Sequence, residues 1–377
     1  MRKSLFILLS LALLLGGCTR TRHSGSPSGE GDTLRYAHAT LLRTITYSGY
    51  ATTDILDPWR PGQLLARYAL VPRGKRGDSL VKSAPWGEGV SVVRVPLREA
   101  VVFTSAHCAL LQELGARESV AGVCDKKFNN LPWVKGNTKI ADCGSSMSPD
   151  VERIVDIGAD ALLVSPYQDA HYERLARTGI PLLLVADYME TSPLGRAEWM
   201  RFYGRLVGKA READALFHSV DSAYRHLREL AHGLPKGRSL LTERKTGSVW
   251  YCPGGRSTIG QLLADANAGY PFAQDTHAGS LPLSPEQVLA KADSIDVWAF
   301  KINDGDPLSR RWLLEEYAGY ATMKAFRQGE IYACPVNATL FFEEQAFHPE
   351  RLLRDFILLS HPGALLGALR YFRRLDV

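Results

Sequence analysis

The sequence predicts an α/β protein of two Rossmann-like lobes with parallel sheets, joined by one long inter-lobe α-helix. Three observations carry this. Between residues 143 and 187 the hydrophobic period changes in the order helix, strand, helix, strand. A similar order returns between residues 284 and 332, and a helical period runs from residue 195 to 233 in between. At 377 residues, 45% hydrophobic and 23% charged, the chain has material for two ordinary cores. The division that follows is 1–17 signal peptide, 18–33 lipidated flexible tether, 34–208 first lobe with added N-terminal strands, 209–232 connecting helix and 233–377 second lobe.

The chain opens with Arg2 and Lys3, an apolar run over residues 5–15, and Leu15-Gly16-Gly17-Cys18. A charged start, an apolar stretch too short to span a bilayer and a small-residue site read as a secretory leader. The cysteine makes it resemble a bacterial lipobox, so Cys18 is the expected lipid attachment point. Ser, Gly and Thr then dominate a tether. Removing Arg2 and Lys3 takes the formal net charge from +5 to +3, too mild a balance to imply nucleic-acid binding.

Residues 34–97 carry alternating runs such as Arg35-Tyr36-Ala37-His38 and Tyr68-Ala69-Leu70-Val71, read as strands placed before the first βα unit. That unit is Ala100-Val101-Val102-Phe103, the loop Thr104-Ser105-Ala106-His107, a helix over 109–114 stopped by Gly115, and a strand over 120–123. In the central stretch Ser148 is expected to cap a helix with Pro149 and Asp150 in its first turn and Gly158 as its stop. Strands over 161–164 and 180–186 flank a helix over 169–177.

Trp199, Phe202, Leu206, Ala210, Ala213, Phe217, Val220, Tyr224 and Leu227 follow at helical spacing. The second lobe has strands near 238–241 and 248–251, Gly254-Gly255-Arg256-Ser257 leading into a helix over 259–266, a capping box at Ser284-Pro285-Glu286-Gln287 and a strand over 295–300. Residues 349–360 and 361–375 are expected as closing amphipathic helices.

In parallel sheets ligands sit beyond the carboxyl ends of the strands, so polar groups in those loops are the candidate contacts. From the first lobe these are Ser105, His107, Ser146, Tyr167 and Gln168. From the second they are Trp250, Tyr251, Arg256, Lys301, Asn303, Asn337 and Phe342. Aromatics mixed with Arg and Lys suit a large, ring-rich anionic chelate. For the cysteines two alternatives stand: Cys124–Cys143 and Cys252–Cys334 disulfides, or five buried thiols.

With these residues in view, the chain resembles the cobalamin, iron-siderophore and haem class of periplasmic substrate-binding proteins of ABC importers. Three segments carry the likeness: residues 101–123; Glu152-Arg153-Ile154-Val155 with Gly158-Ala159-Asp160-Ala161-Leu162; and Glu286-Gln287-Val288-Leu289 with Ile295-Asp296-Val297, closed by the H-P-E-R-L-L-R-D run from His348 to Asp355. The chain departs from the family pattern in its long segment 34–97 and in Ala159, where the family has Pro. The resemblance implies two lobes on a rigid helix and a ligand held between them. It also implies docking onto an ABC permease with its ATPase through Glu152 and Glu286, which contribute chiefly orientation and encounter rate.

The expectation is an exported, lipid-anchored, monomeric binding protein for an iron chelate (siderophore or haem), with cobalamin as the alternative. It touches the membrane only through its lipid, and it has no enzymatic role, no cofactor and no resident metal. No G-x-S-x-G, H-E-x-x-H, Walker or dinucleotide fingerprint is present. The remoter readings are a bare metal-ion binder, which would need a His and carboxylate cluster, and a redox protein holding a cluster through Cys108 and Cys143.

Overall fold

A computed structural model describes residues 31–84, 86–168, 172–303 and 309–375. The leader, Cys18 and most of the tether lie outside the described residues.

The added N-terminal segment is a five-stranded sheet in sequential order: β1 (Asp32–Leu34), β2 (Leu42–Tyr47), β3 (Tyr50–Leu56), β4 (Leu64–Pro72) and β5 (Val90–Val95). The first four are antiparallel, and β5 joins parallel to β4 through helix α1 (Lys75–Ser83). One face packs Tyr50, Ala69 and Val71 under α1, while the other sends Leu42, Ile55, Tyr68, Leu70 and Val93 into the main core.

The expected strand at residues 35–38 is absent. The amides of residues 37–41 turn to side chains instead: Glu198 accepts the N–H groups of Ala37, His38 and Ala39, and Glu190 accepts those of Thr40 and Leu41. Two buried carboxylates thus strap residues 37–41 to the first lobe.

The first lobe is built on five parallel strands in the order β10-β9-β6-β7-β8: β6 (Ala100–Val102), β7 (Val120–Val123), β8 (Ala141–Asp142), β9 (Ala161–Val164) and β10 (Leu182–Leu184). Each residue of β9 is buried, as expected of a strand covered on both faces. Helix α2 (Ser105–Glu113) starts four residues earlier than the periodicity indicates, because Thr104 caps it by accepting the His107 amide.

The central helix α3 (Val151–Asp156) is capped by Asp150, not Ser148, which lies with Pro149 in a small hairpin. Strand β10 is a sheet edge, and the Tyr68 hydroxyl closes it by donating to the Leu182 carbonyl at 2.9 Å and accepting the Leu184 amide at 2.7 Å.

The helical run is divided into α4 (Pro193–Glu198), α5 (Met200–Leu206) and α6 (Ala210–His232). Gly208, at φ 71°, makes the break before α6. The 23-residue α6 packs on α5, on α7 (Thr258–Asp265) and on α10 (Pro349–Ser360), and so joins the lobes.

The second lobe has β11 (Leu240–Leu241), β14 (Val297–Ile302) and β15 (Ile331–Pro335) in parallel, edged by antiparallel β16 (Arg373–Arg374). A small antiparallel sheet contains β12 (Val249–Pro253) and β13 (Ser280–Leu283), and α8 (Pro285–Leu289) carries the expected capping box. The second closing helix does not form. Residues 361–375 are turns and β16, because Pro362-Gly363 and Gly367, at φ 83°, deny the segment a helical path.

The lobes touch directly where α2 meets α9 (Phe341–Glu344) and α10. Glu343 accepts the Asn130 amide at 3.1 Å, and His348 spans the interface, its Nε2 2.6 Å from Glu113 and its Nδ1 2.9 Å from Glu350. Burial works against a charged His348, but the two carboxylates outweigh it and push the imidazole up to about 9. A histidine raised in the folded state contributes stability that is complete below its unfolded value of about 6.5 and disappears as pH rises through about 9, a contribution of roughly 3 kcal/mol. Wild-type stability by urea unfolding is therefore expected to fall between pH 7 and 10 relative to His348→Leu. Parallel pH curves would refute this role.

Candidate functional site

The carboxyl ends of both parallel sheets face a shared cleft. A cavity of about 340 Å³ there takes Thr104, Ser105 and His107 from the β6–α2 turn, Ser165 to Tyr167 from the loop after β9, Asp187 and Tyr188 after β10, Arg196 on α4, and Phe342 and Gln345 from the second lobe. Tyr167 is 44% exposed, Tyr188 37% and Phe342 46%, so three aromatic faces stand open in one hollow. The Tyr188 hydroxyl donates to the Pro166 carbonyl, tying two of the first-lobe loops together.

Behind these rings lies a buried polar group. Asp187 accepts from His107 Nε2 at 3.0 Å, from the Tyr203 hydroxyl at 3.0 Å and from Arg196 Nε at 3.2 Å. The Tyr203 oxygen is 2.7 Å from His107 Nε2. Tyr203 donates its one proton to the carboxylate, and His107 turns Nε2 toward it while Nδ1 is buried without a hydrogen-bond partner. Burial alone would raise the Asp187 carboxyl; His107, Arg196 and Tyr203 outweigh burial and hold it below the ordinary carboxylate range. Asp187 therefore stays ionised and aims Arg196 into the cavity.

A second cavity of about 390 Å³ sits at the second-lobe strand ends, lined by Glu243 after β11, Tyr251 on β12, Ser257 and Thr258 at the start of α7, Ser280 on β13 and Lys301 on β14. Lys301 Nζ donates to Glu243 at 2.5 Å, and Tyr251 is 49% exposed. Two further hollows, of about 440 and 430 Å³, lie away from these strand ends: one between the added sheet and β10, the other between α2 and the second-lobe helices α9 and α10.

Of the residues predicted from sequence, Ser105, His107, Tyr167 and Phe342 share the first cavity, and Tyr251 and Lys301 the second. Trp250 requires correction. It is fully buried, packed against Trp298 and Tyr320, and donates its indole N–H to the Glu243 carbonyl at 2.8 Å, so it belongs to the core. Ser146 is committed to Asp125 through both its amide and its hydroxyl. Gln168, Arg256, Asn303 and Asn337 are exposed at the strand ends and line neither cavity.

Glu152 and Glu286 occupy matching places, exposed in the first turn of α3 and of α8. All five described cysteines are free and buried, which is the thiol alternative. Burial pushes Cys108 up to about 12 and Cys143 up to about 11, so neither offers a ready thiolate. Among the described residues no group of three His, Cys, Asp or Glu converges on a metal position.

Sequence reasoning missed Asp187, Tyr188, Arg196, Gln345 and Glu243. Asp187-Tyr188 and Thr242-Glu243 are polar pairs directly after strands, and the strand-end rule applied to β10 and β11 finds them.

The profile of the periplasmic binding protein family matches residues 101–338, more than half of the chain. The chain belongs to that family. Within this periplasmic binding protein, the matched range runs from β6 to the turn after β15 and contains most of both cavities, while the sheet β1–β5 precedes it.

An uncharacterized lipoprotein of Methanocaldococcus jannaschii is 25% identical over 307 residues, covering 76% of this chain and 70% of the relative. A second uncharacterized lipoprotein of the same organism is 22% identical over 343 residues, covering 86% of each. Among solved structures, a periplasmic heme-binding protein from Pseudomonas aeruginosa superposes with a TM-score of 0.59 at 15% identity, covering 74% of this chain and 98% of its own. An ABC-type Fe3+-hydroxamate transport protein from Saccharomonospora viridis gives 0.54 at 21% identity, covering 71% and 94%. These likenesses establish the two-lobed fold. Among the described residues no helix is long and apolar enough to cross a membrane.

Proposed function

We propose that this protein is the extracytoplasmic solute-binding lipoprotein of an ABC importer. It captures an iron chelate, a siderophore or haem, between its lobes and delivers it to the permease and its ATPase. The cavity at the facing strand ends carries the reading, because three half-open aromatic rings and an Arg held by a buried carboxylate form a binding wall. The action we propose is binding, in keeping with the periplasmic binding protein family to which the chain belongs. Export through the leader and lipidation at Cys18 belong to the same proposal, in keeping with the lipoprotein relatives. The solved neighbours include haem and Fe3+-hydroxamate proteins, which fits an iron chelate; cobalamin is the second reading.

The test is tryptophan fluorescence of the purified full chain, titrated in parallel with haemin, several ferric siderophores and cyanocobalamin. Saturable quenching by one compound at submicromolar concentration is expected. No response from any of them, in folded protein, would remove the transport reading.

Docking yields a separate expectation. Glu152 and Glu286 are acidic groups in first turns, where the helix dipole favours them. The Glu286 carboxyl is held down by its own amide and the Ser284 hydroxyl. Replacing both with Arg is expected to leave ligand quenching unchanged and to reduce uptake in cells about tenfold or more, as rim charges act on encounter and orientation. Full uptake by the double variant would exclude these helices as the docking face.

A further inference from the structure

We infer that the cleft is built for a metal chelate with no net charge, of the ferric trihydroxamate kind, and not for a polyanionic catecholate or a porphyrin with free carboxylates. This inference rests on the iron-chelate reading above and narrows it.

Among the described residues, Arg196 and Lys301 are the Arg and Lys side chains that line the two cavities. Each is already paired within its own lobe, Arg196 with Asp187 at 3.2 Å and Lys301 with Glu243 at 2.5 Å. The Asp187 carboxylate is held in place, and the backbone that carries Glu243 is too. Asp187 is 1% exposed and fixed by His107 and Tyr203. Glu243 is anchored through its backbone, its carbonyl accepting the indole N–H groups of Trp250 at 2.8 Å and Trp298 at 2.9 Å, both from the core. Among the described residues that line the two cavities, each half thus contributes one paired positive and negative charge.

The two cavities adjoin. The Phe341 ring lies 5.8 Å from Lys301 Nζ while its neighbour Phe342 walls the first cavity. From the second cavity, Thr258 reaches across to donate to the Glu190 carbonyl, beside the loop that carries Asp187. One ligand therefore meets both pairs.

A polyanion entering this space gives up its hydration and meets two carboxylates, with no unpaired Arg or Lys among the described lining residues to repay the loss. Three singly charged hydroxamates cancel the charge of Fe(III), whereas three catecholates leave a triply negative complex and haem keeps two carboxylates outside its ring. A neutral chelate presents carbonyl oxygens and N–H groups. The free N–H groups of Arg196 and the Lys301 ammonium serve the first, and Glu243 and the Gln345 carbonyl the second.

The experiment compares four probes on the purified full chain: ferrichrome, a neutral ferric trihydroxamate; ferric enterobactin, a triply negative catecholate; haemin; and cyanocobalamin, a neutral corrinoid. Ferrichrome is expected to bind about 100-fold or more tighter than either anionic probe. Glu243→Gln, which frees the Lys301 charge, is expected to close that gap by about tenfold. Lys301→Gln, which frees the carboxylate, is expected to widen it.

Enterobactin or haemin binding as tightly as ferrichrome overturns the inference and leaves the iron-chelate reading standing. A gap unmoved by both variants, each folded by circular dichroism, also overturns it. Tight binding of cyanocobalamin alone upholds neutrality and replaces iron by cobalt as the cargo. Binding by none of the four overturns both readings.

Discussion

Replacing Asp187 with Ala is expected to lower the free energy of unfolding by about 3–5 kcal/mol, the usual result of removing one partner from a buried charge network. Arg196 would be left without its counter-ion, and Tyr203 and His107 without their shared acceptor. Ligand affinity should fall with stability, about 100-fold, since Arg196 would no longer be held toward the rings. Urea unfolding and fluorescence titration read the two effects separately. A loss under 1 kcal/mol with normal affinity would show that Asp187 anchors nothing.

The acid limb carries the same sign. A carboxyl depressed in the folded state contributes stability that is full above its unfolded value of about 3.9 and is lost as pH falls through its lower folded value. The wild type should therefore lose stability more steeply below pH 4 than the variant.

Glu198→Ala is the second large effect, and its signature is local. The carboxylate is fully buried and accepts the amides of Ala37 at 2.9 Å, His38 at 2.7 Å and Ala39 at 2.9 Å, together with Arg201 at 2.9 Å. Its removal strands four donors and is expected to cost about 3–5 kcal/mol. Hydrogen exchange at residues 37–39 should accelerate strongly, and proteases should gain access to the strap. Chelate binding should change far less than stability, because neither Glu198 nor residues 37–39 line either cavity. Unchanged exchange at those amides would refute the strap; lost binding would place it in the site.

The periodic parts of this fold were readable from sequence, and the parts set by side chains across long separations were not. The strands over 161–164 and 120–123 announce themselves as apolar runs, and α6 by its spacing, because a buried parallel strand and an amphipathic helix impose a pattern on neighbouring residues. Residues 35–38 have strand-like composition, yet the amides of Ala37 and His38 find their acceptor, Glu198, about 160 positions away, which no local window contains.

The site divides the same way. Strand-end loops located Ser105, His107, Tyr167, Tyr251 and Lys301, but composition read Lys301 as free to neutralise an anion. Its pairing with Glu243, like that of the missed Arg196 with Asp187, appears only once the strand ends are brought together. Trp250 failed for a related reason: in a strand, one residue's shift of phase separates a core face from a cleft face, and Tyr251 next to it holds the exposed position.

The strap has a consequence in time as well as in space. As a chain leaves the ribosome or an export channel from its N-terminus, strands β1 to β5 emerge well before Glu198, the acceptor for an amide 160 residues earlier. The β1–β5 sheet cannot be fastened until α4 has been synthesised and the first lobe has assembled. A part of the polypeptide made early is thus secured only after the first lobe has followed it. A fragment ending before residue 190 would have the strands of that sheet but not its clasp.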